Sequence, residues 1–297
     1  MTSTPGSIPP SGEPPAAARA IRRVAVVSHG RTDVVRDAMP RLDAVAAGAG
    51  VELVLSEEEA AKHGRAPAVA PDEVDLAVVL GGDGTMLRAL HRFLGTAVPV
   101  IGVNYGRVGF LASMRPDELE SGLGRAFAGE LDVTELSTLQ AVVDGTPHTA
   151  INDVVAASAA PGRMVELRWQ LGGEDLGTQP CDGIICATPA GSTAYNLSNG
   201  GPVLVWGLDA MAVSFVAPHS LTARPLVVPR SRLLSVENAT HDVPVTVIVD
   251  GHAVGTIGHG QSVQVGLGPQ RALIASVPGF TFFRRYREAF GATGRQG

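Results

Sequence analysis

Asp83 is the residue whose setting most directly suggests chemistry. It lies between glycines where an apolar segment meets a helical pattern, in the sequence VVLGGDGTMLRAL of residues 78–90. Flanking glycines carry no β-carbon, so a ribose or a polyphosphate can approach the backbone closely. The N–H groups that begin the helix attract anions. A carboxylate is useful beside phosphates if it binds Mg²⁺ or accepts a proton from an attacking hydroxyl, and phosphoryl transfer needs both services.

Of two other phosphate-binding motifs, the Walker loop is excluded and the dinucleotide fingerprint is only weakly supported, and one structural interpretation stays open. A Walker loop requires a lysine directly after its last glycine, and the only lysine of the chain, Lys62, lies in AKHGR. A dinucleotide fingerprint requires Gly-x-Gly-x-x-Gly after a strand, and GVNYGRVG has a different spacing. Asp83 could instead be a simple helix cap in a structural turn, since Asp is a good N-cap.

A second polar segment, DGIICATPAGSTAYNLSNGGP, covers residues 182–202. An apolar run predicts a strand, and the Gly-, Ser-, Thr- and Asn-rich loop after it offers hydroxyls, amides and bare backbone to a polar ligand. Tyr195 adds a ring for stacking. A long turn between strands is the structural alternative. Ser192 is not predicted to be a hydrolase nucleophile, because PAGSTAY lacks the Gly-x-Ser-x-Gly pattern.

The composition predicts a soluble globular protein. The 297 residues are 45% hydrophobic and 18% charged, and the formal net charge of −6 argues against a nucleic-acid partner. Cys181 and Cys186 are predicted to be reduced, buried and inert, as in a cytoplasmic protein. Residues 1–20 lack the pattern of a signal peptide and predict a disordered tail. No apolar stretch predicts a membrane span.

The apolar segments of the first half alternate with helical patterns. Strands are predicted at 21–28, 51–55, 74–82 and 98–104, and helices at 32–47, 86–94 and 116–129. This alternation predicts an α/β domain with a parallel sheet over residues 21–130. Pro40 is expected to kink or divide its helix, and residues 57–64 are expected to form a charged connector.

The pattern changes at about residue 131. Strand-like runs separated by Gly, Pro and Asn/Asp-Gly turns predict a β-rich second domain over 131–279. Residues 280–297 return to a helical pattern. Four aromatic residues are spaced to form one apolar face there, and that face is expected to be part of the core: Phe282, Phe283, Tyr286 and Phe290.

Six segments of the chain, in order, resemble the NAD kinases, which phosphorylate the 2′-hydroxyl of the adenosine ribose of NAD to make NADP. They are GGDGTML (81–87), NYGRVGFL (104–111), INDVV (151–155), DGIICATPAGSTAYNLSNGGP (182–202), PHSLTARPLVV (218–228) and VDG (249–251). The first is shared with diacylglycerol-type lipid kinases, and the long fourth segment is the specific one. The resemblance implies an N-terminal α/β domain, a β-rich C-terminal domain and a C-terminal segment that returns to the first domain.

The resemblance also implies roles for individual residues. Asp83 matches the general base on the 2′-hydroxyl, and Arg88 a position that assists with phosphate. Phe110 matches an aromatic residue on the adenine side, and Asn152 and Asp153 match the pair that holds ribose and adenine.

Further binding positions are implied around the nucleotide. Arg163 matches a basic position near it, and Asp182 an acidic position near the nicotinamide end. The remaining expected contacts are backbone or side-chain positions of the two loops: Gly84, Thr193, Ala194, Tyr195, Asn196, Leu197 and Ser198. His252 follows VDG where the family commonly has Gln or Asn, and Cys181 replaces a common Gly.

The expected partners are NAD and ATP, with inorganic polyphosphate as a possible second donor. A divalent cation, Mg²⁺, is expected to be carried mainly by the donor phosphates rather than by a protein metal site. A homodimer or homotetramer in the cytoplasm is expected, without nucleic acid or membrane. Two alternatives stay open: a lipid or sphingoid kinase of the same superfamily, and a non-catalytic NAD(H) sensor.

Overall fold

The computed structural model of the protein describes residues 20–35, 37–68, 73–106, 109–112 and 114–291. Nearly all of the predicted disordered tail, residues 1–19, lies outside the described residues, as do residues 292–297 of the C-terminal segment. Among the described residues, no helix is both long and apolar enough to cross a lipid bilayer.

The N-terminal domain is a parallel sheet with helices packed on it, as predicted. Its elements are β1 (Arg23–Ser28), α1 (Ala38–Ala49), β2 (Glu52–Val54), α2 (Glu57–His63), β3 (Leu76–Gly81), α3 (Asp83–Arg92), β4 (Val100–Asn104) and α4 (Leu119–Phe127). The strand order is β2-β1-β3-β4, and all three pairings are parallel. Strand β3 is buried along its whole length. At its carboxyl end the chain passes directly into the Gly-Gly-Asp-Gly-Thr turn.

Two helices differ from the predictions. Pro40 does divide its segment, since a 3₁₀ turn at Thr32–Val35 precedes α1 and the proline lies in the first turn of α1. There its missing N–H costs no hydrogen bond. The charged connector was wrong, because residues 57–63 form α2. Ser56 caps this helix by accepting a hydrogen bond from the N–H of Glu59, and Gly64 ends it in the left-handed conformation.

The C-terminal domain is β-rich. Its strands are β5 (Asp132–Val143), β6 (Thr146–Ala150), β7 (Asp153–Ser158), β8 (Val165–Leu171), β9 (Glu174–Cys181), β10 (Gly183–Ala187), β11 (Ala210–Val216), β12 (Leu226–Pro229), β13 (Leu234–Asn238), β14 (Val245–Val249), β15 (His252–Ile257) and β16 (Ser262–Ser276), with a short helix α5 (Tyr195–Ser198). One sheet has the order β12-β11-β10-β7-β14-β15. The other strands belong to the sheet of the first domain, and a hydrophobic core lies between the two sheets.

Strand β16 joins the two domains. It pairs in parallel with β4, where Ile274 faces Val100, and it pairs antiparallel with β5 and β13. One sheet therefore runs from β2 to β9 through both domains. The register of β16 shifts between Leu267 and Arg271, which bends this long strand as it passes from one domain to the other.

The C-terminal helix α6 (Phe282–Phe290) returns to the first domain. Its predicted apolar core face was wrong, because Phe283 is 66% exposed and Tyr286 43% exposed. The buried residue of the helix is Arg285, with only 6% of its surface exposed. The reason is a tertiary contact: Arg285 lies on the backbone carbonyl groups of Phe110 and Leu111, which accept hydrogen bonds from its guanidinium.

Candidate active site

The Asp83 turn connects β3 to α3 with no intervening loop. Gly82 is the N-cap in an extended conformation, and Asp83 is the first helical residue. A β-carbon on Gly81 would lie 2.5 Å from Oγ1 of Thr85, so this glycine is required for the tight entry into the helix. Gly84 is exposed, and a β-carbon there would meet no atom within 4 Å. The start of the helix is thus open to an approaching ligand.

The Asp83 carboxylate does not cap its own helix. It accepts hydrogen bonds from the peptide N–H groups of a second loop: Oδ2 from Phe110 at 2.8 Å, and Oδ1 from Leu111 at 3.1 Å and Ala112 at 3.4 Å. Gly109 permits this approach, since a β-carbon there would lie 2.2 Å from Oδ1. A carboxylate has about four acceptor directions. Oδ2, with one hydrogen bond, is therefore the oxygen with an acceptor direction left.

One face of α3 points toward the second domain. Asp83, Leu87 and His91 follow one another at a spacing of four residues, so their side chains lie on the same side of the helix. Leu87 lines a cleft together with residues of the second domain. His91 Nε2 lies 2.6 Å from Oδ2 of Asp250, which follows β14. Asp83 is thus on the same helix face as Leu87, one turn before it, but is not itself one of the residues that line the cleft.

Asp250 organises the floor of the cleft. Its carboxylate accepts hydrogen bonds from the peptide N–H groups of Ile151 (2.7 Å), Asn152 (2.8 Å) and Asp153 (2.9 Å). Its own backbone is left-handed, with φ 46°, a conformation that Asp tolerates better than most residues. This buried carboxylate fixes the start of β7 and, through His91, ties it to α3.

The two side chains that follow Ile151 are poised for a polar ligand. Oδ1 of Asn152 is buried and accepts no hydrogen bond from the described residues, which is a costly state unless a ligand donates to it. Burial raises the pKa of Asp153 to about 7, and the negative charge of Asp250 adds to the effect. Near neutral pH this carboxyl can therefore both donate and accept hydrogen bonds.

The cleft has a volume of about 460 Å³, within the range of small-molecule sites. Both domains contribute to it. The residues that line it are Leu87, Asn152, Asp153, Val155, Ala157, Ala194, Tyr195, Ile248, Asp250 and Gly251. Its apolar walls with a few convergent polar groups at one end suit a flat heterocycle attached to a sugar.

The residues of the 182–202 loop divide into two groups. Ala194 and Tyr195 line the cleft, and Tyr195 is 46% exposed, so its ring is available for stacking. Asn196 is fully buried and holds the loop together: its amide donates to the carbonyl oxygens of Ser192 and Pro202, and its oxygen accepts from Ser214.

The other loop residues are not cleft-lining either. Thr193 donates to the carbonyl of Ala190, whereas Leu197 is half-buried and Ser198 exposed on α5. Ser192 is fully buried and donates to the carbonyl oxygen of Pro189. It is thus positioned as a structural hydroxyl and not as a nucleophile.

Several expected binding residues lie outside the cleft. Arg163 is exposed and pairs with Asp242 at 2.7 Å, and Asp182 is exposed at the start of β10. The Phe110 ring is buried against α6, with centroids 5.2 Å from Phe290. Their expected roles at the nucleotide stay predictions.

Arg88 lies at the carboxyl end of β1. Its guanidinium donates to the carbonyl oxygen of Ser28 at 2.5 Å and lies 3.7 Å from the buried carboxylate of Glu59. The side chain is 45% exposed. Its positive charge lies close to the carboxylates of Glu58 and Glu59, and its expected role with phosphate stays a prediction.

Three residues with clear roles in this geometry were missed by sequence reasoning. Asp250 was part of the VDG segment but was given no role, although a carboxylate before a glycine at a strand end was a usable signal. His91 needed the pairing between the domains to become meaningful. Arg285 gave no signal, because it was one of several arginines in a helical tail.

No metal centre forms among the described residues: nowhere do three or more His, Cys, Asp or Glu side chains come together in a way that could hold a metal ion.

Comparisons with known proteins place this geometry in a family. The family model described as ATP-NAD kinase N-terminal domain matches residues 17–131, and the ATP-NAD kinase C-terminal domain matches residues 151–277. The NAD kinase of Gemmatimonas aurantiaca is 36% identical over 75% of this chain and 80% of its own length. That of Symbiobacterium thermophilum is 35% identical over 82% of this chain and 90% of its own.

Solved structures agree with the fold. Yeast NADH kinase complexed with NADH has a TM-score of 0.81, with 22% identity, and the match covers 96% of this chain and 95% of that chain. An NAD kinase from Archaeoglobus fulgidus in complex with ATP has a TM-score of 0.71, with 26% identity, covering 91% of this chain and 97% of that one.

Proposed function

The chain belongs to the ATP-NAD kinase family and is an enzyme that phosphorylates NAD, and from that premise we propose that Asp83 is the general base on the adenosine-ribose 2′-hydroxyl. ATP is the donor and NADP the product. The observation that carries the proposal is the state of the Asp83 carboxylate, which is held by three peptide N–H groups while Oδ2 keeps an acceptor direction. The base atom is Oδ2.

The acceptor, NAD, binds in the cleft between the domains. The buried oxygen of Asn152 accepts a hydrogen bond from a ribose hydroxyl or the adenine amino group, which removes its unpaired state. Asp153 lies beside it, and Tyr195 offers its ring to the heterocycle. The shared face of α3 brings the ribose within hydrogen-bond reach of Asp83, as a general base requires.

The donor phosphates bind at the start of α3. The open backbone at Gly84 and the positive end of the α3 helix dipole attract them, and Arg88 supplies a neighbouring positive charge. Mg²⁺ enters with the donor, as part of its phosphate complex, and offsets the phosphate charges there. Inorganic polyphosphate, which presents the same chemistry to this turn, is a second donor to be tested.

The assembly in solution is proposed to be a homodimer or homotetramer in the cytoplasm. Support comes from β12, an edge strand on which Leu226 and Val227 are 39% and 51% exposed, because exposed apolar edges favour association. The reduced, buried cysteines fit a reducing compartment.

The test is a stopped assay of the purified protein with NAD, ATP and Mg²⁺, in which an NADP-specific dehydrogenase detects the product. Asp83→Asn keeps the size of the side chain but removes the basic oxygen. It should bind NAD, measured by calorimetry, and lose turnover by roughly 10²- to 10⁴-fold, the usual effect of removing a general base. Near-normal turnover in this variant would show that the base assignment is wrong. If neither protein binds NAD, a lipid acceptor is favoured. If the wild type binds NAD but forms no NADP with ATP or polyphosphate, a sensor is favoured.

A further inference from the structure

Arg285 on the C-terminal helix is buried next to the loop that holds Asp83. Its Nη1 donates to the carbonyl oxygens of Phe110 at 2.5 Å and Leu111 at 2.9 Å. The N–H groups of the peptide bonds to which these carbonyls belong, those of Leu111 and Ala112, donate to Oδ1 of Asp83. A short chain of hydrogen bonds thus runs from the guanidinium through the loop backbone to the carboxylate.

The surroundings of Arg285 make this a costly arrangement. The side chain is buried, and burial lowers its pKa to about 10, although the negative charges of Asp83 and then Glu288 oppose the effect. It stays protonated at neutral pH. Its Nε is buried and donates to no described residue, and its guanidinium carbon lies 4.7 Å from the centre of the Trp206 ring.

A buried guanidinium with an unused donor is a poor device for stability alone, since an apolar side chain of similar size often serves as well. Its position is informative for another reason. Hydrogen bonds in a low-dielectric interior polarise one another, so donation to the Phe110 and Leu111 carbonyls strengthens the N–H groups that face Asp83. The two contacts also fix where that loop lies.

We infer that Arg285 is a positioning residue for the phosphotransfer reaction: it holds the loop of residues 109–112 so that the Asp83 carboxylate is oriented toward the acceptor hydroxyl. This inference rests on the proposed role of Asp83. It makes the C-terminal helix part of the catalytic apparatus, although the helix is remote in sequence from the turn that it serves.

The aromatic residues of the helix support this arrangement. Phe282 lies 5.7 Å from Trp206 and 6.3 Å from Phe110, measured between ring centres. Phe290 also packs on Phe110, with 5.2 Å between the ring centres. These contacts keep α6 in place while Arg285 makes the polar contacts.

The experiment compares three arginine variants of the intact protein. Arg285→Met removes the charge and both hydrogen bonds to the loop. Arg285→Lys keeps the charge but loses the planar fork, and Arg287→Met changes an exposed arginine of the same helix as a control. We expect Arg285→Met to lower kcat by about 10- to 100-fold, the effect of misplacing a reacting group by about 1 Å, with a much smaller change in the KM for NAD. The kcat of Arg285→Lys should lie between those of Arg285→Met and the wild type, and the kcat of Arg287→Met should equal that of the wild type.

A double-mutant cycle with Asp83→Asn separates positioning from a general structural effect. If Arg285 acts through Asp83, adding Arg285→Met to Asp83→Asn lowers kcat no further. An additive loss, or an Arg285→Met protein with wild-type kcat, overturns the inference while Asp83→Asn remains inactive and the proposed function stands. An active Asp83→Asn protein overturns both. If Arg285→Met does not fold, Arg285→Lys in the same cycle decides.

Discussion

Gly109→Ala tests how closely the loop must approach Asp83. The added β-carbon would lie 2.2 Å from Oδ1, 2.5 Å from Cγ and 2.7 Å from Oδ2 of Asp83, whereas ordinary contact begins near 3.4 Å. The carboxylate or the loop must therefore retreat by about 1 Å, and a displacement of that size costs about 100-fold in rate. Overpacking should cost about 1–3 kcal/mol of stability.

The assay is kcat for NADP formation, with the midpoint of urea unfolding measured on the same samples. Gly48→Ala in α1 is the matched control, because a β-carbon there meets nothing within 4 Å. It should keep full activity and gain up to about 1 kcal/mol from better helix propensity. A Gly109→Ala enzyme with kcat within twofold of the wild type would refute the reasoning, since the position of Asp83 would then not depend on this contact.

Two further predictions concern buried titratable groups. The pKa of Asp153, raised to about 7 mainly by burial and then by Asp250, lies above that of the unfolded chain, so the folded state binds more protons and stability falls as pH rises from about 4 to about 7. Asp153→Asn should remove this pH-dependent loss of stability, which amounts to up to a few kcal/mol at about 1.4 kcal/mol per pKa unit. In thermal melts from pH 5 to 8, the melting temperature should depend on pH more strongly in the wild type than in the variant. The same pH dependence in both proteins would contradict the assignment. Burial raises the pKa of Cys181 and of Cys186 to about 12, so a thiol-specific disulfide reagent should label neither in the native protein and both after unfolding. Rapid native labelling would show that the strands around them open readily.

The fold could be predicted where the signals were local. The alternation of apolar strands and helical patterns, and the glycines around Asp83, depend on neighbours in sequence. Local signals also existed for α2, namely the N-cap Ser56 and the i,i+4 ion pair of Glu58 and Lys62 at 2.6 Å. The run of charged residues pointed to a connector, although the spacing of those charges suits a helix.

The site was only partly predictable, because its key contacts join distant segments. Asp83 and Asn152 were identified from motif and resemblance, yet the partners of Asp83 are peptide N–H groups, which carry no sequence signal. The left-handed Asp250 and its bond to His91 depend on how the domains meet. Arg285 is buried on carbonyl groups, so an apolar pattern pointed to the wrong face of its helix.

Strand β16 has a consequence for the order of events during synthesis. It lies between β4 and β13 in the shared sheet, yet it is the last strand of the described chain to leave the ribosome. Before β16 has been synthesised, β4 has no strand partner on the edge that faces β16. The strands of the second domain are then not yet connected to β4. The shared sheet of the two domains therefore cannot be completed before β16 pairs. Such pairing between residues distant in sequence slows folding, and meanwhile the unpaired edge of β4 is exposed to other chains.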